Sequence, residues 1–383
     1  MQPPDQGASN PRRRRSESNS RRTGKPERRG GPAAGKRKPK YDGPRAVDVQ
    51  APVAKGEPGF QANRELLERV SRTFYLTIQR LPESVREPVG LGYLVARATD
   101  TIADSAKGEP AERILWLQGY VALFKYGWDP AFCKKMRAAV APEIQDEGER
   151  ELIESTEMLV AWFQEQPNFE RCELLRVWSR IAYAQEQDLR CFGDGKSLQA
   201  IPNAEGVETY TYLIAGCVGE FWTRLCQERC DDFSRQPLTS MEEKGRSFGQ
   251  ALQLINILRD FGADLSEGRC YLPEQELKEA GVSLDHLKSD PSAGRDVIAA
   301  WRKRAWQLLS EASDYVLAIE NPTLRLATAL PVAIGSRTLR LLEDETAAVS
   351  GGAKLSRQQI KWLLAQGLIA NRVRPLLPKF LGV

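Results

Sequence analysis

One stretch of sequence, Tyr93-Leu-Val-Ala-Arg-Ala-Thr-Asp-Thr-Ile-Ala-Asp104, decides the fold. Tyr93, Arg97, Asp100 and Asp104 recur at intervals of four, three and four residues, so they share one face of a helix. The residues between them are mostly apolar, which predicts a helix that packs on all sides while its polar stripe faces an internal cavity. Burying such a stripe is costly unless its groups have partners. The stretch therefore predicts a helical protein built around a polar cavity.

A second stretch repeats this pattern far downstream. Gln253, Asn256, Asp260 and Asp264 fall near one face of a segment that is otherwise rich in leucine and isoleucine. A lone aspartate pair at helical spacing is usually a solvated helix face. Two matching inward stripes instead indicate one shared site.

The aspartates of both stripes predict a metal site. Asp100 and Asp104, like Asp260 and Asp264, are four residues apart, so each pair projects from one side of its helix. Carboxylate oxygens suit hard divalent cations, and Mg²⁺ typically takes one or two carboxylates plus substrate phosphates. We therefore expect all four aspartates to bind Mg²⁺ that bridges to a diphosphate.

Charge is unevenly distributed along the 383 residues, whose formal net charge is +4. Residues 1–50 carry fourteen Lys or Arg against five Asp or Glu, which leaves −5 for the rest. The segment 1–58 is also rich in Pro, Gly and Ser, and so predicts a disordered basic tail before an all-α domain at 59–383. Such an arm can bind nucleic acid, acidic lipid headgroups or nothing specific.

Several function classes lack the residues they need. The single histidine, His286, lies in a polar stretch, and the seven cysteines show no CxxC spacing, which predicts free thiols. The segment Gly193-Asp-Gly-Lys-Ser lacks the leading glycine of a phosphate loop, because position 190 is arginine. A secretory signal and a run of eighteen apolar residues are both missing from the sequence, so we expect a cytoplasmic protein.

The periodicity from Phe60 onward is helical nearly throughout, and no alternating β segment stands out. Long segments such as 147–164 and 207–228 each predict one core helix. We therefore predict a single all-α domain of about ten helices with a central cavity.

Several ordered motifs together resemble the squalene and phytoene synthase family of head-to-head prenyl transferases. The resemblance covers roughly residues 60 to 345 and is closest to squalene synthases. The motifs that carry it are Ser71-Arg-Thr-Phe74, Tyr93 to Asp104, Tyr210-Thr-Tyr-Leu-Ile-Ala-Gly-Cys-Val-Gly219, and Gln253 to Leu265 followed by Gly268-Arg-Cys-Tyr-Leu-Pro273. The family implies the isoprenoid synthase α-fold and prenyl diphosphate substrates.

The resemblance also assigns roles to residues. It implies catalytic roles for Tyr210, Tyr93 and Arg97, with Tyr210 at the position that is linked to proton transfer during cyclopropane formation. Asp188 resembles an acidic position near the substrate in some relatives. The expected substrate-binding residues are Ser71, Arg72, Phe74, Arg97, Ile214, Gln253, Asn256 and Arg259. Further apolar walls for the prenyl chains are expected from Leu94, Cys217, Val218, Phe221 and Leu254.

The reaction implied by the resemblance has two half-reactions. Two farnesyl diphosphates first form presqualene diphosphate, and rearrangement with hydride from NADPH then gives squalene. Dehydrosqualene, presqualene diphosphate or phytoene are the alternative products when no reduction occurs. A different class of function is a helical scaffold with a basic nucleic-acid-binding arm. The inward acidic stripes count against that as the main role, so we expect no specific nucleic-acid partner. The oligomeric state stays open.

The C-terminal segment predicts a second kind of contact. Ile360, Trp362, Leu363, Leu364, Leu368 and Ile369 form an apolar helix face that either packs on the core or makes a peripheral membrane contact.

Overall fold

Helices make up nearly all the regular structure, which confirms the predicted all-α fold. The computed structural model describes residues 46, 57–71, 75–105, 109–193, 195, 197–344 and 353–383. In chain order, the helices are α1 (Arg64–Ser71), α2 (Tyr75–Ile78), α3 (Glu83–Ser105), α4 (Pro110–Tyr126), α5 (Pro130–Val140), α6 (Glu147–Glu154), α7 (Thr156–Glu165), α8 (Asn168–Phe192), α9 (Ala204–Thr211), α10 (Cys217–Arg229), α11 (Leu238–Ser266), α12 (Glu274–Glu279), α13 (Leu284–Ser289), α14 (Arg295–Ala318), α15 (Pro322–Leu341), α16 (Arg357–Arg372) and α17 (Leu377–Leu381).

Three sequence-based predictions concern residues that lie wholly or largely outside the described part of the chain. The predicted tail, residues 1–58, is almost entirely outside them, so its boundary stays a prediction. Arg72 and Phe74 also lie outside them.

Two predicted helices are interrupted. The segment 147–164 breaks at Ser155, where α6 ends and α7 begins, and the segment 207–228 contains the π-helical turn Tyr212–Gly216 between α9 and α10. Such turns widen the helix locally and are frequent at functional sites. Here the turn lies within the motif that begins at Tyr210.

A two-stranded parallel sheet was missed by the sequence analysis. Strand β1 (Gln199–Ile201) pairs with β2 (Arg269–Pro273), with Gln199 opposite Arg269. Both strands are too short for an alternating pattern to show. The sheet fixes the segment after α11, and β2 supplies two residues to the site described below.

Helices α10 and α11 approach closely because glycines face each other across their contact. A Cβ on Gly219 would lie 1.7 Å from the carbonyl oxygen of Gly245, and one on Gly249 would lie 2.0 Å from that of Ala215. Only glycine leaves room for two backbones this close. This glycine seam joins the Tyr210 motif to the helix that carries Asp260 and Asp264.

A buried glutamate connects the same helices to α8. Glu220 is 4% exposed and accepts hydrogen bonds from Arg180 on α8 at 3.1 Å and from Arg246 on α11 at 2.8 Å. Both guanidinium carbons also lie 5.5 Å from the ring centre of Tyr212. Because a buried charge is costly without partners, this network favours one arrangement of α8, α10 and α11.

The C-terminal helices pack on α15, and the apolar residues of α16 divide between its two sides. Leu363 is buried, whereas Trp362, Leu368 and Ile369 are exposed, so the single apolar face expected from the sequence is wrong. Across the described chain, no helix combines the length and apolar character that a membrane span requires.

Candidate active site

A polar cavity of about 290 Å³ lies between α3, α4, α8 and the β2 strand. Its lining brings together residues that are more than 150 positions apart in the sequence. Among them are Asp100, Asp104, Asp188, Tyr210, Arg269 and Tyr271.

The first aspartate pair lies on α3 and faces this cavity. Arg97, one turn earlier, pairs with Asp100 and with Glu149 on α6. Burial and the charge of Asp104 raise the pKa of Asp100 to about 6, although Arg97 opposes this. Burial also raises the pKa of Asp104, despite Arg269 at 3.9 Å. The pair therefore holds more negative charge than its neighbours neutralise.

The second pair lies on α11 and has a different environment. Burial raises the pKa of Asp260, but hydrogen bonds from Arg259 and the nearby Lys354 outweigh burial and hold it below its usual value. The Lys354 ammonium is 3.5 Å from Asp260 Oδ1. Burial and the charge of Asp260 raise the pKa of Asp264 to about 7.

Arg269 links the two pairs electrostatically. Burial raises the pKa values of Asp104 and Asp264, and the positive charge of Arg269 partly opposes the rise at both. Arg113, on α4, also lines the cavity and donates to the Ala103 carbonyl at 3.0 Å. Neither arginine was predicted as a site residue. Both offer guanidinium groups, whose geometry suits phosphate oxygens.

The two pairs fit magnesium in the mode that uses few protein ligands. Within the described residues, no group of three or more His, Cys, Asp or Glu side chains could hold a metal ion. Mg²⁺ is usually bound by one or two carboxylates together with substrate phosphates. Burial, together with nearby carboxylates, raises the pKa values of Asp100, Asp104 and Asp264, and a divalent cation would favour the charged form of all three.

Asp188 on α8 forms a buried cluster with two tyrosines. The hydroxyls of Tyr210 and Tyr271 each donate to Asp188 Oδ2 at 3.1 Å, and their rings stack with centres 5.0 Å apart. Burial raises the pKa of Asp188 to about 7 and the pKa of Tyr210 well above its usual value. Asp188 can therefore exchange a proton near neutral pH, whereas the Tyr210 phenol stays protonated.

A second cavity, of about 370 Å³, adjoins the first and is largely apolar. Val89, Ile181, Ile214, Val218, Phe221 and Trp222 contribute to its walls. Asp100, Gln185 and Ile214 line both cavities, which places them at the junction. Gln185 is 7% exposed, and its Oε1 is buried without a hydrogen-bond partner among the described residues. An apolar chamber thus opens beside the acidic one.

Several predicted site residues meet at these cavities. Tyr93 and Arg97 line the apolar cavity, and Gln253 lines the polar one. The Tyr93 hydroxyl donates to the Val70 carbonyl at 3.1 Å. Thus α3 presents its predicted stripe to both cavities.

Other predicted residues lie elsewhere among the described residues. The Ser71 hydroxyl donates to the Leu67 carbonyl at 2.5 Å within α1, so it is engaged by the helix backbone. Asn256 is not among the residues that line either cavity. Leu94, Cys217 and Leu254 are buried in the core and do not line the cavities either.

The described residues thus combine an all-α fold with an acidic cavity beside an apolar one. The squalene/phytoene synthase family model matches residues 67–364, and the chain belongs to this family.

Curated relatives are similar at low identity. The squalene synthase of Saccharomyces cerevisiae is 25% identical over 78% of this chain and 65% of its own length. The chain thus spans about two thirds of the length of that relative. The presqualene diphosphate synthase of Zymomonas mobilis is 26% identical over 81% of this chain and 91% of its own length.

Solved structures share the fold. TcSQS in complex with the ligand BPH1237 superposes with a TM-score of 0.66 at 19% identity, covering 84% of this chain and 89% of its own. A dehydrosqualene synthase in complex with a ligand gives a TM-score of 0.56 at 18% identity over 82% and 96%. At these identities the likeness supports the fold, and it confirms the predicted isoprenoid synthase architecture.

Proposed function

We propose that this protein joins two farnesyl diphosphates head to head through presqualene diphosphate and, with hydride from NADPH as a second substrate, releases squalene. The reaction would depend on Mg²⁺ and take place in the cytoplasm. One observation carries the proposal: the acidic cavity lies next to an apolar one, and Asp100, Gln185 and Ile214 line both. This arrangement suits a substrate with a diphosphate head and a long hydrocarbon tail.

The diphosphate would bind in the polar cavity. Arg113 and Arg269 line this cavity and are placed to donate to phosphate oxygens. Asp100 and Asp104 line it too, whereas Asp260 and Asp264 are not among its lining residues, although the charge of Arg269 reaches Asp264. The four aspartates together would hold Mg²⁺. Bound Mg²⁺ would neutralise charge on the departing diphosphate. The arginines would keep the same oxygens in place as the carbon–oxygen bond breaks.

The allylic cation that remains would be protected by the apolar cavity. Buried walls such as Ile181 and Phe221 would keep away water that would otherwise capture the cation. The face of the Tyr93 ring can stabilise positive charge without reacting. The unpartnered Gln185 carbonyl oxygen adds a dipole at the junction of the two cavities.

Closing the cyclopropane ring requires that the condensed cation lose one proton. The Tyr210 phenol is a poor base while it keeps its own proton, because its pKa is well above the usual value. It is hydrogen-bonded to Asp188, whose pKa is about 7. We therefore assign a relay in which Tyr210 accepts the substrate proton as its own proton passes to Asp188.

A second candidate stops after the first half-reaction, at presqualene diphosphate. The match to the Zymomonas mobilis enzyme, which covers 91% of that protein, favours it. Dehydrosqualene and phytoene are further products that the same cavities allow. The nucleic-acid-binding rival depends on the basic tail, and a chain that lacks residues 1–55 would keep turnover if the enzyme proposal holds.

Product analysis by mass spectrometry tests the proposal. Purified protein is incubated with Mg²⁺ and farnesyl diphosphate, with and without NADPH, beside Asp100→Asn and a matched control, Asp285→Asn, on the exposed side of α13. Squalene only with NADPH from wild type and the control, and none from Asp100→Asn, is the expected result. Presqualene diphosphate under both conditions would establish the second candidate. Absence of any condensation product would overturn both.

A further inference from the structure

The C-terminal helices present an outer surface that the proposed chemistry does not use. Leu363, Gly367 and Ala370 attach α16 to the body of the protein. On its other side, Trp362 is 64% exposed and Ile369, two turns later, is 59% exposed. The exposed large apolar residues between positions 362 and 376, which we call the C-terminal face, are Trp362, Leu368, Ile369, Val373 and Leu376.

The charged side chains of the same C-terminal segment, residues 353–383, are all positive. Residues 353–383 contain six Lys or Arg and no Asp or Glu. Arg357, Lys361, Arg372 and Lys379 are exposed. This contrasts with the rest of the chain after residue 50, which is net negative. The C-terminal face is thus apolar, carries a tryptophan and is surrounded by cations.

We propose that the C-terminal face docks on an anionic lipid membrane. A bilayer surface offers acyl chains for the exposed Trp362 and Ile369 and headgroup phosphates for Lys361 and Arg372, and amphipathic helices of this composition lie in that interface. Each Lys or Arg near an anionic leaflet adds roughly 1 kcal/mol of attraction, about a fivefold change in affinity.

Other occupants match the surface less well. A second copy of the chain, placed by two-fold symmetry, would bring Lys361 and Arg372 against their own like charges. A nucleic acid would satisfy the cations but would leave the aliphatic side chains facing water. Only a surface that is both anionic and apolar pairs with both features.

The docking segment is continuous with the candidate active site. Lys354, which lies 3.5 Å from Asp260, precedes the start of α16 by three residues. Docking would therefore hold this edge of the site close to the membrane. If the proposed function holds, a hydrocarbon product released at this edge could pass into the membrane without crossing water.

Vesicle co-sedimentation of the full chain tests the inference without substrate, so its outcome is separate from that of the proposed function. Wild type is mixed with phosphatidylcholine vesicles that contain or lack phosphatidylglycerol. We expect sedimentation with the anionic vesicles and little with the neutral ones. The double variant Trp362→Gln/Ile369→Gln should bind the anionic vesicles at least about tenfold more weakly than wild type, because two apolar contacts are lost. Lys361→Gln/Arg372→Gln should bind several-fold more weakly, with wild-type binding weakened by salt.

The matched control is Leu115→Gln, which changes an equally exposed apolar residue, 65% exposed, on α4. It should bind like wild type. Every variant keeps the basic tail, so undiminished binding by Trp362→Gln/Ile369→Gln would assign the attachment to another surface and overturn the proposal. Failure of wild type to bind anionic vesicles would also overturn it, as would a dimer in sedimentation velocity that the double variant dissociates without any vesicle binding.

Discussion

The two aspartate pairs have the same spacing in sequence and different environments in the fold. The first pair, Asp100 and Asp104, lines the polar cavity, and burial raises both pKa values. In the second pair, Arg259 and Lys354 hold the pKa of Asp260 down, whereas that of Asp264 rises to about 7. Spacing therefore places carboxylates together, but their protonation depends on the cations that other elements supply.

The largest effect on turnover should come from neutralising a single aspartate in either pair. We expect Asp100→Asn and Asp264→Asn each to lower kcat by about 100- to 1,000-fold, because both remove electrostatic stabilisation of the leaving diphosphate. Steady-state assays with farnesyl diphosphate measure this. Near-normal turnover by Asp264→Asn would show that only the first pair serves the reaction. Asp285→Asn is again the control.

A smaller effect, on the Mg²⁺ requirement, is expected from removing Lys354, the cation that lies next to Asp260 in the second pair. Lys354→Gln removes the ammonium next to Asp260, so Mg²⁺ no longer competes with it. We expect the half-saturating Mg²⁺ concentration to fall about two- to fivefold, the range for an exposed ion pair. Lys303→Gln, an exposed lysine on α14, should leave it unchanged. An increase for Lys354→Gln would mean that the lysine helps to bind the diphosphate.

Stability should change in opposite directions within the second pair. In metal-free protein at pH 8, Asp264→Asn removes a charge that the fold disfavours, and we expect Tm to rise by about 2 to 4 °C. Asp260→Asn leaves Arg259 and Lys354 without their partner, and Tm should fall by a similar amount. Differential scanning calorimetry would record both shifts. Shifts of the same sign would contradict the different environments.

The smallest effect concerns the pH dependence of Tm. It distinguishes Asp188, whose pKa is raised mainly by burial, from the two pairs, in which a neighbouring aspartate also contributes. The pKa of Asp188 rises to about 7 mainly through burial, so its contribution to stability is complete below the ordinary pKa of about 4 and is lost as the pH rises through 7. In excess Mg²⁺, which by the proposal would neutralise the two pairs, Tm should still fall between pH 5 and pH 8. Asp188→Asn should flatten that fall, whereas Glu186→Gln should not, because hydrogen bonds lower the pKa of Glu186 despite partial burial. A steep profile in Asp188→Asn would assign the fall to other groups.

The sequence predicts the parts of the site that lie along one helix. The 3.6-residue period is enough to place Tyr93, Arg97 and Asp100 on one face of α3. It cannot show that Glu149, 52 residues away, pairs with Arg97, or that Tyr271 shares Asp188 with Tyr210. Those contacts depend on how the helices pack.

Arg113 and Arg269 illustrate the same limit. Arg113 lies in the first turns of α4, a helix without a distinct apolar face, and no local signal distinguishes it from a surface arginine. Arg269 lies in a motif that was noted, Gly268-Arg-Cys-Tyr-Leu-Pro273, but its strand was too short to predict and its direction could not be inferred. The all-α class was predictable because apolar periodicity repeats over more than 300 residues.

The glycine seam between α10 and α11 also determines where this protein can be redesigned. A larger side chain at Gly219 would force α10 away from α11, which carries Asp260, and one at Gly249 would clash with the Ala215 backbone in the π-helical turn that follows Tyr210. Room for longer hydrocarbon chains must therefore be made on walls away from the seam, for example at Phe221, which faces the apolar cavity. Chain length is then adjustable on one side of the chamber, while the side that aligns the reacting groups tolerates almost no variation.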